Sequence, residues 1–229
     1  MTDFFATSFL PLFLTLAAYQ LGLWCQRRFR SPVFNPLLIA VLLVLGVLLL
    51  TGLDMETYQT GNRWLTWLIT PATISLAIPL YEQFRVLRRK LPAVLAGIAA
   101  GTASSLVFIL LFGILAGFDR VLTVSLLPKS VTTAIGVSLS ELSGGSGAIT
   151  TAAIIVTGIL ANVLSPWLFR LFRLHDRIAQ GVALGTAGHI IGTSKANELH
   201  ALTGAASSLS LVSAGLMTAV LFPLALRFL

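Results

Sequence analysis

The stretch Leu126–Gly145, LLPKSVTTAIGVSLSELSGG, decides how this chain must fold, and Gly185–Gly204, GTAGHIIGTSKANELHALTG, is a weaker echo of it. Both stretches place a lysine, hydroxyl groups and glycines, and the first also a proline, within a chain that is otherwise strongly apolar. In hydrocarbon such residues are costly, and irregular backbone persists there only where protein or a water-filled cavity covers it. Both stretches are therefore predicted to line a polar site inside a membrane-embedded bundle.

The composition agrees with a membrane protein. The chain has 229 residues, of which 56% are hydrophobic and 10% are charged, whereas soluble domains carry about 25% charged residues. Uncharged runs long enough for a membrane span, which needs roughly 20 apolar residues, recur along it. We expect an all-α polytopic protein whose residues 1–229 form a single transmembrane domain. A lone cysteine, Cys25, allows no internal disulfide, and no metal site is predicted.

The net charge of +7 does not indicate a nucleic-acid partner, because the basic residues do not form one patch. They lie at the ends of predicted spans, as Arg27, Arg28 and Arg30, then Arg85, Arg88, Arg89 and Lys90, then Arg170, Arg173 and Arg177. This is the positive-inside pattern of cytoplasmic loops. We therefore predict a multi-pass protein of the cell inner (plasma) membrane, with the N-terminus outside.

Six spans are predicted, at residues 4–24, 35–53, 64–81, 92–117, 148–169 and 205–228. Pro71 and Pro79 are expected to kink or break the third span, because proline frees backbone carbonyls that another group must satisfy. Asn35, Pro71 and Thr73 are additional candidates for a polar lining, and a simple kink is the alternative at the prolines.

The number of membrane spans between two cytoplasmic loops constrains the topology of the first polar stretch. Lys90 and Arg170 are both assigned to the cytoplasmic side, so an even number of spans separates them. The spans at 92–117 and 148–169 already make two. Residues 121–143 therefore cannot cross, and we expect a re-entrant hairpin that enters from outside, breaks at Pro128 and leaves on the same side.

The last third of the chain repeats this pattern. A shift of 57 residues aligns Glu141 with Glu198, Gly158 with Gly215, Pro166 with Pro223 and Arg170 with Arg227. Before a one-residue gap in this alignment, Ser130 aligns with Thr186, Thr133 with His189 and Gly136 with Gly192. We infer repeat-like units at about 121–172 and 179–229. If the repeat is inverted, 177–202 is a second re-entrant hairpin; if it is parallel, 179–203 crosses once.

A half-helix that begins inside the membrane points unpaired N–H groups and a positive dipole end at its tip, which suits an anion. The candidate substrate-binding residues at the two tips are Lys129, Ser130, Thr132 and Thr133, and His189, Thr193, Ser194 and Lys195. Two lysines and several hydroxyls suit a small carboxylate with a neighbouring hydroxyl or carbonyl. The proton-coupling candidates are His189, Glu198 and Glu141.

Simpler structural roles remain open for these residues. Lys129 and Lys195 can each extend to a nearby membrane surface. His189 can pack between helices with its ring bonded to a backbone carbonyl, and Lys195 can form an ion pair with Glu198 three positions later. The chain has no GxSxG or HExxH motif, so we predict no catalytic residues, no enzyme and no cofactor.

The segments PKSVTT at 128–133 and GHIIGTSKANE at 188–198 resemble the LrgB/CidB family of membrane proteins. Further matching segments are FNPLLIA at 34–40, PATISLAIPLYEQ at 71–83 and GAASSLSLVSAGLMTA at 204–219. The family is described as antiholin-like, modulating murein hydrolase activity and autolysis. Its plastid members exchange glycolate and glycerate, and bacterial members are implicated in pyruvate uptake. The resemblance also implies a smaller holin-like LrgA/CidA-type membrane partner.

Together these observations predict a transporter of small monocarboxylates, such as glycolate, glycerate, pyruvate or lactate, that works by alternating access. The alternative is a regulator of autolysis that acts with the holin-like partner and transports nothing. A channel is a third interpretation, and the sequence leaves homo-oligomerisation open.

Overall fold

A computed structural model describes residues 2–29 and 34–229, with side chains from residue 9 onward. Within these residues the fold is all-helical, as predicted, and contains no strand. The helices are α1 (Thr2–Phe29), α2 (Pro36–Thr51), α3 (Met55–Gly61), α4 (Arg63–Ser75), α5 (Ala77–Arg89), α6 (Leu91–Ala116), α7 (Arg120–Leu126), α8 (Thr133–Leu142), α9 (Gly147–Leu171), α10 (Arg177–Leu199) and α11 (Ala201–Ala225), followed by a 3₁₀ turn at Leu226–Phe228.

Five helical stretches in the described part of the chain are long and apolar enough to cross a membrane, and they are Phe9–Phe29, Arg63–Arg89, Leu91–Ala116, Gly147–Leu171 and Ala201–Phe228. Helix α2 is apolar but has only 16 residues, or about 24 Å at a rise of 1.5 Å per residue. That length falls short of a hydrocarbon core of about 30 Å. The prediction of a multi-pass membrane protein is supported, and the count of six spans stays a prediction.

The chain divides into two compact units, Met1–Ser75 and Leu76–Leu229. In the first unit α1 packs against α2 and α3. The hydroxyl of Thr15 is hydrogen-bonded to the hydroxyl of Tyr58 at 2.7 Å and donates to Oδ1 of Asn62 at 3.0 Å. Helix α2 begins where the buried side chain of Asn35 accepts the N–H groups of Leu37 and Leu38, which is ordinary N-capping.

The third predicted span is broken, as expected, but the break lies between its two prolines. Helix α4 runs through Pro71 and ends at Ser75, and α5 begins at Ala77. Pro79 is the third residue of α5, so it offers no N–H to the carbonyl of Ser75, and its ring clashes with that carbonyl in a continuous helix. The helix therefore stops about one turn before Pro79.

In the second unit, α7 and α8 form a short excursion between the long helices α6 and α9. They have 7 and 10 residues and are separated by a turn that contains Pro128. The hydroxyl of Ser125 in α7 accepts the N–H of Ser146 at 2.7 Å, and its carbonyl accepts the hydroxyl of Thr150 at 3.0 Å. The start of α9 therefore lies beside the last turn of α7. After the turn and α8, the chain has come back to α7.

Helix α10 is broken at His189, whose φ of 42° and ψ of −134° are not helical. A Cβ added at Gly192 would collide with the carbonyl oxygen of Leu184. At the other end, Nη1 of Arg177 lies 2.8 Å from Nε2 of His200, so the first and last turns of α10 are in contact. The two halves of α10 therefore lie side by side rather than end to end.

Both turns lie at the middle of neighbouring long helices. The hydroxyl of Ser130, in the first turn, is hydrogen-bonded to that of Ser105 at 3.2 Å, and Ser105 is near the centre of α6. His189, at the second turn, bonds the carbonyl of Ile154 and packs against Gly158 near the centre of α9. The two polar turns thus reach a similar depth in the bundle.

The two broken segments are the α7–turn–α8 excursion and α10. Each of them contacts the long helix that follows the other one in the chain. Gly158 of α9 meets Ile191 of α10, where an added Cβ would lie 2.8 Å from Cδ1, and Gly215 of α11 meets Ile135 of α8, at 3.1 Å. The two glycines align with each other in the sequence repeat, and so do the two isoleucines. Each long helix therefore packs against the broken segment of the other repeat-like unit.

Substituting Gly192 by alanine should destabilise the protein, because its Cβ would force the two halves of α10 apart. Overpacking of this kind costs about 1–3 kcal/mol. Gly46→Ala in α2 is the matched control, since nothing lies within 4 Å of the added Cβ and alanine favours a helix by about 1 kcal/mol. Thermal unfolding in detergent should show a lower Tm for Gly192→Ala than for wild type, and no such decrease for Gly46→Ala. Equal Tm shifts in the two variants would contradict the side-by-side packing of the two halves of α10.

Asp176 predicts a weak pH dependence at the start of α10. Its carboxylate accepts the N–H groups of Ala179 and Ile178 and pairs with Nζ of Lys90 at 3.2 Å. The Ala179 hydrogen bond and then Lys90 hold its pKa below the ordinary 3.8. A lowered carboxyl pKa stabilises the fold above the unfolded value, and this stabilisation disappears as pH falls through the folded value.

The Tm difference between wild type and Asp176→Asn should therefore shrink as pH is lowered from about 6 to about 3. Asparagine keeps the helix cap but loses the charge. Because both side chains of the pair are about half exposed, the effect should stay below about 1 kcal/mol. A difference that is constant over this range would argue against a contribution from the carboxylate charge.

Candidate functional site

Lys129 lies at the turn between α7 and α8 and is half-buried. Its Nζ donates to the hydroxyls of Ser105 at 3.3 Å and Ser130 at 3.2 Å. Among the side chains that the structure describes, no carboxylate forms an ion pair with it. A cation within an apolar bundle is costly when its only partners are neutral hydroxyls. The geometry therefore leaves a positive charge without a counter-ion at mid-depth, which favours binding of an anion.

A small cavity lined by hydroxyl groups adjoins Lys129. Its volume is about 10 Å³, enough for roughly one water molecule. The hydroxyl-bearing residues that line it come from three helices, α6, α10 and α11, and from the turn between α7 and α8, and they are Thr102, Ser105, Ser130, Thr186 and Thr218. Thr102 is 5% exposed, and its hydroxyl has no hydrogen-bond partner among the described residues. Buried hydroxyls normally have a partner, so the Thr102 hydroxyl is able to bond a polar group inside this cavity.

At the second turn, Nε2 of His189 lies 2.9 Å from the carbonyl oxygen of Ile154. Because a carbonyl only accepts, Nε2 carries the proton, and Nδ1 is the nitrogen able to take up another. The packing role considered for this histidine is thus confirmed. Its positive φ is rare for a residue with a side chain and costs about 1–3 kcal/mol. The hydroxyl of Thr193 donates to the His189 carbonyl and is bonded to the hydroxyl of Ser207, both at 2.9 Å.

Lys195 differs from Lys129 in having a counter-ion. Its Nζ lies 2.9 Å from Oε2 of Glu198, and the two side chains are 16% and 56% exposed. The ion pair anticipated from their spacing is therefore confirmed. Its charge is compensated in this conformation, so the structure favours Lys129 as the lysine that is ready for an anion.

The structure brings only some of the predicted residues together. Ser130 and Thr186, which align in the repeat, line the same cavity. Thr132 precedes α8 without a side-chain capping bond, whereas Thr133 and Ser194 are exposed. Glu141 is exposed near the end of α8, next to Gly147.

The three additional lining candidates belong to the first unit. Asn35 caps α2 with its side chain, and Pro71 and Thr73 are exposed on α4. The hydroxyl of Thr73 donates to the carbonyl of Ile69 one turn earlier. Their role as a polar lining stays a prediction.

Sequence reasoning missed Thr102, Ser105 and Thr218, because all three lie in segments that read as ordinary spans. The available signal was weak: Thr102 and Ser105 are three positions apart in α6, so they share a helix face. Thr186 was visible only as the repeat partner of Ser130. Which of many span hydroxyls faces a cavity depends on the neighbouring helix.

Comparison with known proteins gives the family. Residues 15–228 match the LrgB-like family. The chain is 37% identical to the uncharacterized protein YwbG of Bacillus subtilis over 217 residues, which cover 95% of this chain and 96% of the relative. It is 31% identical to the holin-like protein CidB of Staphylococcus epidermidis, over 93% of each chain, and 30% identical to CidB of Staphylococcus aureus, over 97% of each.

No solved structure matches the chain. The family match spans nearly the whole sequence, and it includes both broken segments and both of the helices α9 and α11 that pack on them. The relatives are aligned over almost their full length as well. The chain therefore belongs to the LrgB-like family of membrane proteins.

Proposed function

We propose that this protein transports small monocarboxylates across the membrane, with Lys129 as the principal anion-binding residue. The observation that carries the proposal is the uncompensated charge of Lys129 beside a hydroxyl-lined cavity at mid-depth. A turn buried only for structural reasons has no need of such a charge. Charge-assisted hydrogen bonds from an ammonium group to a carboxylate are about twice as strong as neutral ones, so a carboxylate is the ligand that best completes this site.

The proposed substrate class rests on Lys129 and on the hydroxyls predicted at the two turns. The carboxylate of glycolate, glycerate, pyruvate or lactate pairs with Nζ, and its neighbouring hydroxyl or carbonyl bonds Ser130, Thr132 or Thr133. Thr193 and Ser194 supply hydroxyls from the second turn. The cavity of about 10 Å³ is too small for these molecules, so binding requires the two turns to separate. Such a change is a natural part of alternating access.

We further propose that residues 1–229 form one transmembrane domain of six spans and two re-entrant hairpins, with inverted repeats at about 121–172 and 179–229. Support comes from the side-by-side halves of α10 and from the reciprocal pairs Gly158–Ile191 and Gly215–Ile135. A two-fold relation makes contacts reciprocal in this way. Broken helices that meet near the bilayer midplane between inverted repeats are a common transporter plan.

Proton coupling is assigned to His189, Glu198 or Glu141. The Lys195–Glu198 pair at 2.9 Å suggests how coupling works: a proton on Glu198 releases Lys195, which then becomes a second partner for the substrate carboxylate. His189 takes up its proton at Nδ1, opposite the nitrogen that bonds Ile154. The protein is placed in the cell inner (plasma) membrane, multi-pass, with the arginine-rich ends of its spans in the cytoplasm and the N-terminus outside.

A second candidate function is regulation of autolysis together with a holin-like LrgA/CidA-type partner. The observation that favours it is that relatives covering almost the full chain are named holin-like. This function needs an assembly surface rather than an anion site, and a homo-oligomer would serve it equally. It predicts that replacing Lys129 leaves the activity intact.

Lys129→Ala should lower saturable uptake of labelled glycolate and pyruvate into proteoliposomes by at least about tenfold, since a hydrogen bond to a charged group contributes about 1.5–3 kcal/mol. Ser104→Ala is the matched control, because Ser104 is exposed and its hydroxyl bonds its own helix. Lys195→Ala should also reduce uptake, through the second turn. Unchanged uptake in Lys129→Ala would refute the assigned site.

Wild-type protein is tested in the same assay alone and with the holin-like partner added. If neither preparation takes up either acid, transport is refuted and the regulatory function is favoured. Uptake that rises linearly with concentration and never saturates would instead indicate a channel.

Thr102→Val should separate stability from substrate binding. The Thr102 hydroxyl has no partner among the described residues, so valine should leave unfolding unchanged or stabilise the fold by up to about 1 kcal/mol. The half-saturating concentration for uptake should nevertheless rise. Thr193→Val is the contrast, because its hydroxyl makes two hydrogen bonds and its loss should destabilise by about 1–2 kcal/mol. A Thr102→Val protein that is destabilised like Thr193→Val would show that Thr102 has a structural role.

A further inference from the structure

A groove of about 480 Å³ runs along the second unit between α6 and the first half of α10. Its residues follow both helices from their first turns inward, and they include Lys90 and Asp176 at one end and Gly101 and Thr186 at the other. Its walls are mostly small and apolar. The residues at its two ends indicate which parts of the protein the groove connects.

The end of the groove at the first turns of α6 and α10, which we call the basic mouth, contains Lys90 and Asp176. They are paired at 3.2 Å, and each is about half exposed. Basic residues adjoin this pair in the chain on both sides, and they are Arg88, Arg89, Arg173 and Arg177. The first turn of α10 adds the positive end of its helix dipole. The charges of Lys90 and Asp176 offset each other, so the attraction of small anions to this end comes from the neighbouring arginines and the helix dipole.

The inner end of the groove leads to the hydroxyl cavity. Thr186 lines both the groove and the cavity. In the cavity it faces Ser105 and Ser130, the two hydroxyls that bond Nζ of Lys129. Thr186, which is 9% exposed, is therefore the one side chain that stands between the groove and the cavity at the proposed anion site.

Two glycines keep the groove open. A Cβ added at Gly97 would lie 3.4 Å from Cγ1 of Val182, and one at Gly101 would lie 3.4 Å from the hydroxyl of Thr186. These are ordinary contact distances, so a small side chain fits there but a larger one would fill the space. The groove therefore depends on the absence of side chains along one face of α6.

The other half of α6 is closed. A Cβ at Gly113 would lie only 2.9 Å from the hydroxyl of Thr123 in α7. Leu110, Val124, Leu127 and Phe222 form a buried apolar cluster around this contact. The anion site can thus be approached along α6 from the basic mouth but not from the end where α7 begins.

We propose that this groove is the aqueous path by which the substrate anion reaches Lys129 from the cytoplasmic side, and that the structure represents a conformation in which this path is open to that side while the cavity beside Lys129 is still closed. The inference rests on the proposed function, and it adds a route, a direction and a conformational state. The Lys90–Asp176 pair joins the first turns of α6 and α10 at the entrance to this path.

The test uses single cysteines in a Cys25→Ser background, which removes the only natural thiol. Gly97→Cys and Gly101→Cys place thiols in the groove where the structure has room for them. Ala96→Cys is the matched control, since Ala96 is exposed on α6 but does not line the groove. Ala93→Cys lines the groove without replacing a glycine, and it serves if the glycine variants fail to fold.

The probe is a membrane-impermeant anionic thiosulfonate, applied to inside-out and right-side-out vesicles. Groove cysteines should react at least about tenfold faster than Ala96→Cys from the cytoplasmic side, and glycolate or pyruvate should slow the reaction at Gly101→Cys. Reaction only from the outer side, or only with a membrane-permeant maleimide, would overturn the proposal, because the groove would then face the other side or be filled by lipid.

This readout does not require transport. Reactive groove cysteines in a protein that takes up no acid would retain the water-filled path and reject the transporter. Normal uptake together with unreactive groove cysteines would retain the transporter and reject this path.

Discussion

The rest of the second unit depends on one constraint: neighbouring helices must enclose the backbone N–H and C=O groups that the two turns leave without helical partners. Two turns interrupt helices at the middle of an apolar bundle, where no bulk water satisfies exposed N–H and C=O groups. The neighbouring long helices must therefore approach closely, and small residues make this approach feasible. Gly158 and Gly215 stand where the turns touch α9 and α11, and Gly181 lies against the backbone of Thr203. The hydroxyls of Ser125 and Thr150 bond backbone groups between α7 and the start of α9, and that of Thr193 bonds the carbonyl of His189 at the second turn.

The two lysines show how environment decides function for identical side chains. Lys195 finds its counter-ion within its own helix, so its charge is neutralised whatever happens elsewhere. Lys129 has only hydroxyl partners, which stabilise an ammonium group less than a carboxylate does. The first therefore needs a chemical event to lose its counter-ion, whereas the second has no counter-ion among the described side chains.

Local pattern predicted the features that depend on local chemistry. Pro128 within PKSVTT predicted the first break, the internal repeat predicted the second on the condition that the repeat is inverted, and the spacing of Lys195 and Glu198 predicted their ion pair. The sequence could not place Thr102, Ser105 or Thr218 at the cavity, since their surroundings come from helices distant in the chain. The break at Leu76 was displaced from both prolines, because a proline disturbs the preceding turn rather than its own position. The short helix α2 likewise ends at Gly52, in left-handed conformation, before the apolar run does.

The reciprocal contacts between glycines and isoleucines have a consequence for biosynthesis. Ile135 in α8 packs against Gly215, which is synthesised about eighty residues later. The first broken segment therefore leaves the ribosome well before one of the helices that cover it, and the face of α8 that carries Ile135 stays uncovered until α11 has been inserted. Assembly of the two halves is then a late and mutual step, in which neither half reaches its final packing before the other has been inserted. A chain truncated before α11 would expose both Ile135 and the hydroxyl cavity, which makes it a natural substrate for membrane quality control.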